Sequence, residues 1–207
     1  PHTFNFKQAA EDAIQAGEGR YLGVALVAPD VPDVELQRLS RVGFRGVRFN
    51  FMRHITGSAT IDAVVALTPR LAAVGMHLQV HFESELVHEL AAPLQRSSVP
   101  VVIDHMGRVD AARGPEHVDF QRLTRLLESP NFYVKVSGID RIDAKSPAER
   151  KYRDGVVLAR ELVKRFPEQC VWGTDWPHPN HTHIPDDGVL IDALAEIDPG
   201  AEPLEQL

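Results

Sequence analysis

VPVVIDH, residues 99–105, is an apolar and β-branched run that turns polar only in its last two residues. This order is typical of a parallel strand that is buried on both faces and ends at a polar edge. Five more runs of the same character occur along the chain: YLGVALVAP (21–29), FRGVRFNF (44–51), HLQVHFE (77–83), FYVKVSG (132–138) and CVWGTD (170–175). We therefore predict six strands.

Segments with helical spacing separate these strands. Apolar residues recur at helical intervals between Phe120 and Leu127 and again between Tyr152 and Phe166. Thr60 is a predicted N-cap and Gly75 a predicted end for a helix that contains Pro69, which we expect to kink or break it. Strands alternating with helices predict a parallel α/β sheet.

The length leaves two α/β architectures open for residues 1–207, which we take as a single domain. A complete eightfold TIM barrel needs roughly 250 residues, whereas this chain has 207. The sequence therefore predicts either an incomplete TIM barrel or an open, doubly wound sheet.

Composition limits the function and the location. The net charge of −7 argues against nucleic acid as a partner. The sequence has neither an apolar run of about 20 residues nor a secretory signal, so we expect no membrane contact. The lone Cys170 fits a reducing compartment and predicts a cytoplasmic protein with an unreactive, strand-end thiol. The oligomeric state is left open.

Polar residues gather where the predicted strands end. Arg48, His81, His105 and Asp175 each lie at or near such an end. The carboxyl ends of parallel strands are where α/β barrels and open sheets hold their chemistry. These residues therefore form the first candidate site, in which Arg48 and His81 are candidates for binding the substrate.

The segment VWGTDWPHPN (171–180) carries the candidate catalytic carboxylate. Asp175 at a barrel mouth, beside imidazoles such as that of His105, can take a proton from water. Trp176 is expected to wall the pocket, and His178 and Asn180 lie in the same loop. The alternative is that Asp175 caps a turn and His178 is a surface residue.

Arginines at the same ends predict an anionic substrate. Arg48, Arg108 and Arg141 lie at or just beyond predicted strand ends. A guanidinium binds a carboxylate through two parallel hydrogen bonds, so two or three in one pocket predict a dianion. Solvated surface arginines are the alternative interpretation.

A zinc site is a second possibility at these strand ends. His81, His105 and Asp175 fall on three separate strands, and such side chains bind zinc in many proteins. The chain has no HExxH motif, and its HTH triplet at 181–183 falls outside the predicted strands. We favour no bound metal and keep these three residues as the alternative ligand set.

The motifs VIDHMGR, WGTDWPHPN and GVRFNF resemble those of the amidohydrolase-related TIM-barrel hydrolases. DHMGR together with PHPN is most similar to the lactonase branch, which opens carboxylated pyrone and muconolactone rings during the degradation of aromatic compounds. The resemblance implies that Asp175 activates water and that His105 polarises the lactone carbonyl. It also implies that Arg48, Arg108 and Arg141 bind carboxylates, that His178 and Asn180 line the pocket, and that no metal is needed.

The chain departs from that branch at two places. The family begins with an HxH strand and a second strand, so the resemblance implies that this chain lacks the first two barrel strands and the C-terminal end. His81 stands where the lactonases have tyrosine and the metal-dependent branches have histidine. The hypotheses are thus a lactonase acting on a small anionic substrate, a zinc-dependent decarboxylase or amidohydrolase, and a non-catalytic remnant.

Overall fold

The computed structural model describes residues 6–52, 59–143, 152–178 and 184–197. Its six strands fall within the predicted runs: β1 (Gly23–Leu26), β2 (Phe44–Phe51), β3 (His77–Phe82), β4 (Val101–Ile103), β5 (Phe132–Val136) and β6 (Cys170–Trp172). They form one sheet in the order β1-β2-β3-β4-β5-β6, and the pairs β1/β2 and β5/β6 are parallel. A doubly wound sheet reverses its strand order at a switch point. The uninterrupted order contradicts that alternative and agrees with barrel winding.

Helices separate the strands, as the spacing predicted. They are α1 (Phe6–Ala16), α2 (Asp33–Val42), α3 (Ile61–Ala72), α4 (Val87–Leu94), α5 (Val118–Leu127), α6 (Ile139–Ile142), α7 (Arg153–Arg165) and α8 (Asp187–Ile197). Short 3-10 helices lie at Ser84–Leu86, Ala111–Arg113 and Pro167–Gln169. Asp104–Arg108 forms a turn with left-handed backbone. The predicted apolar faces of α5 and α7 are buried.

Helix α3 shows how the chain accommodates a proline inside a helix. The side chain of Thr60 caps its first turn by accepting a hydrogen bond from the backbone N–H of Ala63. Pro69 has no N–H for the carbonyl of Val65, four residues earlier. The hydroxyl of Thr68 donates to that carbonyl at 2.7 Å instead. The helix consequently continues to Ala72, and the predicted break at Pro69 does not occur.

The chain divides into two compact units, each with its own buried apolar residues. The first contains Pro1–His81 and Leu90–Val102, and the second contains Phe82–Glu89 and Ile103–Leu207. Side chains with at most 1% exposure include Leu39, Val47 and Leu78 in the first unit and Phe120, Phe132 and Leu162 in the second. Full burial of such a side chain contributes about 1.5–3 kcal/mol to folding.

The thiol of Cys170 is buried at the start of β6. Burial raises its pKa to about 12, so the thiolate that reacts with oxidants and electrophiles is scarce at neutral pH. This agrees with the predicted unreactive strand-end thiol. Within the described part of the chain, no helix is long and apolar enough to cross a membrane.

The carboxylate of Asp119 joins three segments of the second unit. It accepts hydrogen bonds from the hydroxyl of Ser84 and from Nε2 of His88 at 2.9 Å, and Nδ1 of His117 lies 3.7 Å away. Burial alone would raise the pKa of Asp119, but the two hydrogen bonds and the nearby histidines outweigh it, and the pKa is lowered. The folded state therefore favours the charged carboxylate.

Replacing Asp119 by asparagine is expected to lower the free energy of unfolding at pH 7 by about 1–2 kcal/mol, because charge-assisted hydrogen bonds are lost. Because the pKa of Asp119 is lower in the folded state than in the unfolded state, the ionised carboxylate stabilises the fold above the unfolded pKa of about 3.9. This stabilisation is lost as the pH falls through the folded-state pKa. The difference between the two proteins should thus shrink as the pH falls from about 5 to below the unfolded value of about 3.9. Urea unfolding across this range measures it. Asp62→Asn, at an exposed pair with Arg96, is the control that should change little, and a pH-independent difference would contradict the assignment.

Candidate active site

A left-handed turn follows β4 and presents His105. His105, Met106, Gly107 and Arg108 have φ angles of 48°, 51°, 62° and 54°. Left-handed backbone costs roughly 1–2 kcal/mol at each non-glycine residue. Because Met106 is fully buried, packing offsets part of this cost. Clustered backbone strain of this kind is common at functional sites.

Strand β5 packs against this turn and holds its first two residues. Nζ of Lys135 lies 3.3 Å from Oδ1 of the buried Asp104. Oγ of Ser137, just beyond the strand, lies 2.9 Å from Nδ1 of His105. Residues 135 and 137 point to the same side of a strand because side chains alternate. One side of β5 therefore fixes the Asp104–His105 dipeptide.

Asp175 meets His105 and Arg141 in the same unit. It lies three residues beyond β6 in a left-handed conformation, with φ 69°. Its Oδ1 is 3.5 Å from Nε2 of His105, and its Oδ2 is 2.5 Å from Nε of Arg141. The side chains of His105, Asp175 and Arg141 are 8%, 17% and 10% exposed. The structure thus joins three of the residues that the sequence analysis selected.

Arg108 adds a second guanidinium to this cluster. Burial lowers its pKa, and the positive charge of Arg141 lowers it further, although Asp175, Glu83 and Asp140 act in the opposite direction. A half-buried guanidinium whose pKa is lowered by burial and by a second positive charge is stabilised by an anion that binds to it. The cluster therefore suits a carboxylated ligand.

The loop after Asp175 places its remaining candidates differently. His178 is buried, and its Nε2 lies 3.1 Å from Oδ1 of Asp187 at the start of α8. Trp176 is 74% exposed. Asn180 lies outside the described residues. Their predicted part in lining the pocket stays a prediction.

Arg48 and His81 lie in the first compact unit. Arg48 is a half-buried residue of β2, and His81 is a half-buried residue of β3 whose Nδ1 lies 3.2 Å from Oδ1 of Asn50. Both occupy the polar, carboxyl-terminal part of their strands, where the sequence predicted them. Their roles in binding substrate stay predictions.

The described side chains do not fit a metal ion. In residues 6–52, 59–143, 152–178 and 184–197, no group of three or more histidine, cysteine, aspartate or glutamate side chains is placed to hold one. Asp175 is already paired with Arg141, and a cation there would also face the charge of Arg108. The arrangement favours anions over cations.

Sequence reasoning missed Ser137 and Lys135. Both belong to the strand run FYVKVSG, in which Tyr133, Lys135 and Ser137 alternate with the buried Phe132, Val134 and Val136. That alternation was the available signal, because a polar residue at every second position shows that one side of the strand meets a polar neighbour.

Comparison with known proteins identifies the family. An amidohydrolase family model matches residues 3–207, and this chain belongs to that family. It is 37% identical to the 2-pyrone-4,6-dicarboxylate hydrolase of Comamonas testosteroni, over 97% of this chain and 68% of that protein. It is 38% identical to the 4-sulfomuconolactone hydrolase of Hydrogenophaga intermedia, over 92% of this chain and 63% of that protein.

A solved structure shows the same fold. It is a probable 2-pyrone-4,6-dicarboxylic acid hydrolase from Acinetobacter baumannii, crystallised with citric acid bound. The TM-score is 0.81 at 25% identity, covering 97% of this chain and 74% of that one. The fold is thus the predicted TIM-barrel type, and the chain spans about two thirds to three quarters of the length of these relatives.

Proposed function

We propose that the protein hydrolyses a carboxylated lactone such as 2-pyrone-4,6-dicarboxylate or a muconolactone. The observation that carries this proposal is the contact of Asp175 with both His105 and Arg141, beside Arg108. Two relatives are named as hydrolases of such lactones. The citric acid bound to a third relative is itself a carboxylated molecule.

Each group in the cluster has a chemical role in this reaction. Asp175 accepts a proton from water as the water oxygen attacks the lactone carbonyl. Nε2–H of His105 stabilises the negative charge that develops on the carbonyl oxygen. The ring C–O bond then breaks, and Asp175 returns the proton to the departing oxygen. Arg108 and Arg141 bind the carboxylates of the substrate.

We further propose that the reaction needs no metal, although amidohydrolases are often metal-dependent. The leaving group of a lactone is an enol or an alcohol, which departs more easily than the amine of an amide. A hydrogen-bond donor such as His105 can therefore supply the stabilisation that an amide substrate would require from a strong Lewis acid.

The loss of pyrone absorbance in the presence of 2-pyrone-4,6-dicarboxylate tests both proposals together. We expect turnover that persists after dialysis against a strong chelator. Activity lost with a stoichiometric zinc and restored by zinc would instead favour the metal-dependent decarboxylase or amidohydrolase hypothesis. A folded protein that turns over no lactone would contradict the proposal and favour the non-catalytic remnant.

We propose that residues 1–207 belong to one partial barrel domain, because a single family model spans residues 3–207. The cytoplasmic location, inferred from the lone Cys170, stays a prediction.

A further inference from the structure

Ser137 is a buried polar residue to which the proposed reaction assigns no role. It follows the last residue of β5 and is 6% exposed. Its hydroxyl contacts Nδ1 of His105 at 2.9 Å inside the protein. The next residue, Gly138, has φ 61°, and a Cβ there would lie only 3.1 Å from the same ring nitrogen. The chain after β5 therefore lies close against the Nδ1 side of the ring.

The two nitrogens of His105 have neighbours of different character. Nε2 is 3.5 Å from a carboxylate oxygen of Asp175, and an ionised carboxylate only accepts hydrogen bonds. That neighbour favours a proton on Nε2. A neutral imidazole with its proton on Nε2 has a lone pair on Nδ1. Nδ1 then requires a donor, and a serine hydroxyl can rotate to supply one.

We propose that Ser137 is a positioning residue that donates to Nδ1 of His105 and keeps the proton of the neutral ring on Nε2. This inference rests on the proposed role of His105 in lactone hydrolysis. In that role Nε2–H must point toward the developing oxyanion. The opposite tautomer would present a lone pair to the carbonyl oxygen, and the stabilisation would become repulsion.

The conformation of the neighbouring backbone supports a positioning role. His105 is held at φ 48°, in a turn that few residues adopt. Lys135, on the same side of β5, holds the preceding Asp104. With the backbone fixed by these contacts, the hydroxyl of Ser137 is placed to set the proton position as well as the ring orientation.

Nitrogen NMR of the histidine-labelled protein tests the inference directly. Spectra are recorded above the titration of the ring, and His105→Gln assigns the signal of His105. We expect an Nε2-protonated ring in the wild type and in Ser137→Thr, and a mixture of tautomers in Ser137→Ala. The kcat for the lactone should fall about tenfold in Ser137→Ala, with KM changed less than about twofold. Ser137→Thr, which keeps the hydroxyl, should retain most of the wild-type kcat.

Ser84→Ala is the matched control, because it removes a half-buried hydroxyl that contacts Asp119 instead of His105. It should leave the tautomer unchanged. An Nδ1-protonated ring in the wild type would overturn the inference, and so would Ser137→Ala with the wild-type tautomer and kcat. If Ser137→Ala does not fold, the tautomer of His105 in the wild type tests the inference by itself: an Nε2-protonated ring supports it and an Nδ1-protonated ring overturns it. If the wild type opens no lactone, the proposed function fails, while the spectra still decide the role of Ser137.

Discussion

Asp175→Asn is expected to lower kcat for 2-pyrone-4,6-dicarboxylate by about a thousandfold, within the range measured for loss of a general acid–base group. The amide keeps the size of the carboxylate but cannot take a proton from water. Because substrate carboxylates are bound by arginines, KM should change far less than kcat. Steady-state kinetics on the folded variant measures both constants.

The control for this variant is Asp192→Asn, which makes the same chemical change at an exposed position of α8. It should have wild-type kinetics. Full turnover by Asp175→Asn would contradict the mechanism. A loss confined to KM would instead assign Asp175 to binding through its pair with Arg141.

Arg108→Met is expected to raise KM for the dicarboxylate by about a hundredfold, the upper end of what a charge-assisted hydrogen bond contributes. Methionine retains much of the apolar stem but has no charge. Arg108→Lys should show an intermediate loss, because an ammonium supplies charge without the two-pronged geometry. Kinetics with dicarboxylated and uncharged lactones separates charge recognition from general damage.

Arg125→Met is the matched control, since Arg125 is an exposed residue of α5. It should leave the kinetics unchanged. If Arg108→Met lost activity equally on charged and uncharged lactones, Arg108 would have a structural role, and the proposed recognition of carboxylates by this residue would be wrong.

The sequence predicted the strands well because buried parallel strands have an unmistakable composition. Every strand falls inside a predicted run, and β2 matches its run from Phe44 to Phe51. β1, β4 and β6 are shorter than predicted. β4 ends where the left-handed turn Asp104–Arg108 begins, and β6 ends before Gly173. Polar residues show roughly where a predicted strand ends. They do not identify the residue at which the chain leaves the sheet.

The sequence predicted that Asp175 lies beside His105, but it did not predict every pairing in the candidate site. The positions of His105, Asp175 and Arg141 at or near predicted strand ends made them candidates, and the structure brings them together. The sequence did not predict the ion pair between Arg141 and Asp175, because side-chain pairing depends on loop geometry that sequence spacing does not encode. The left-handed backbone at His105 and Arg108 could not be predicted from the sequence either, because non-glycine residues rarely adopt it.

The most direct test of the account compares kcat/KM of the wild-type protein for 2-pyrone-4,6-dicarboxylate with that for a 2-pyrone without carboxylates. The arginine cluster predicts hydrolysis of the dicarboxylate with a preference of about a thousandfold or more, as two or more charge-assisted contacts would give. Failure of the folded protein to open the dicarboxylate, or equal turnover of both pyrones, would contradict a hydrolase built for an anionic lactone.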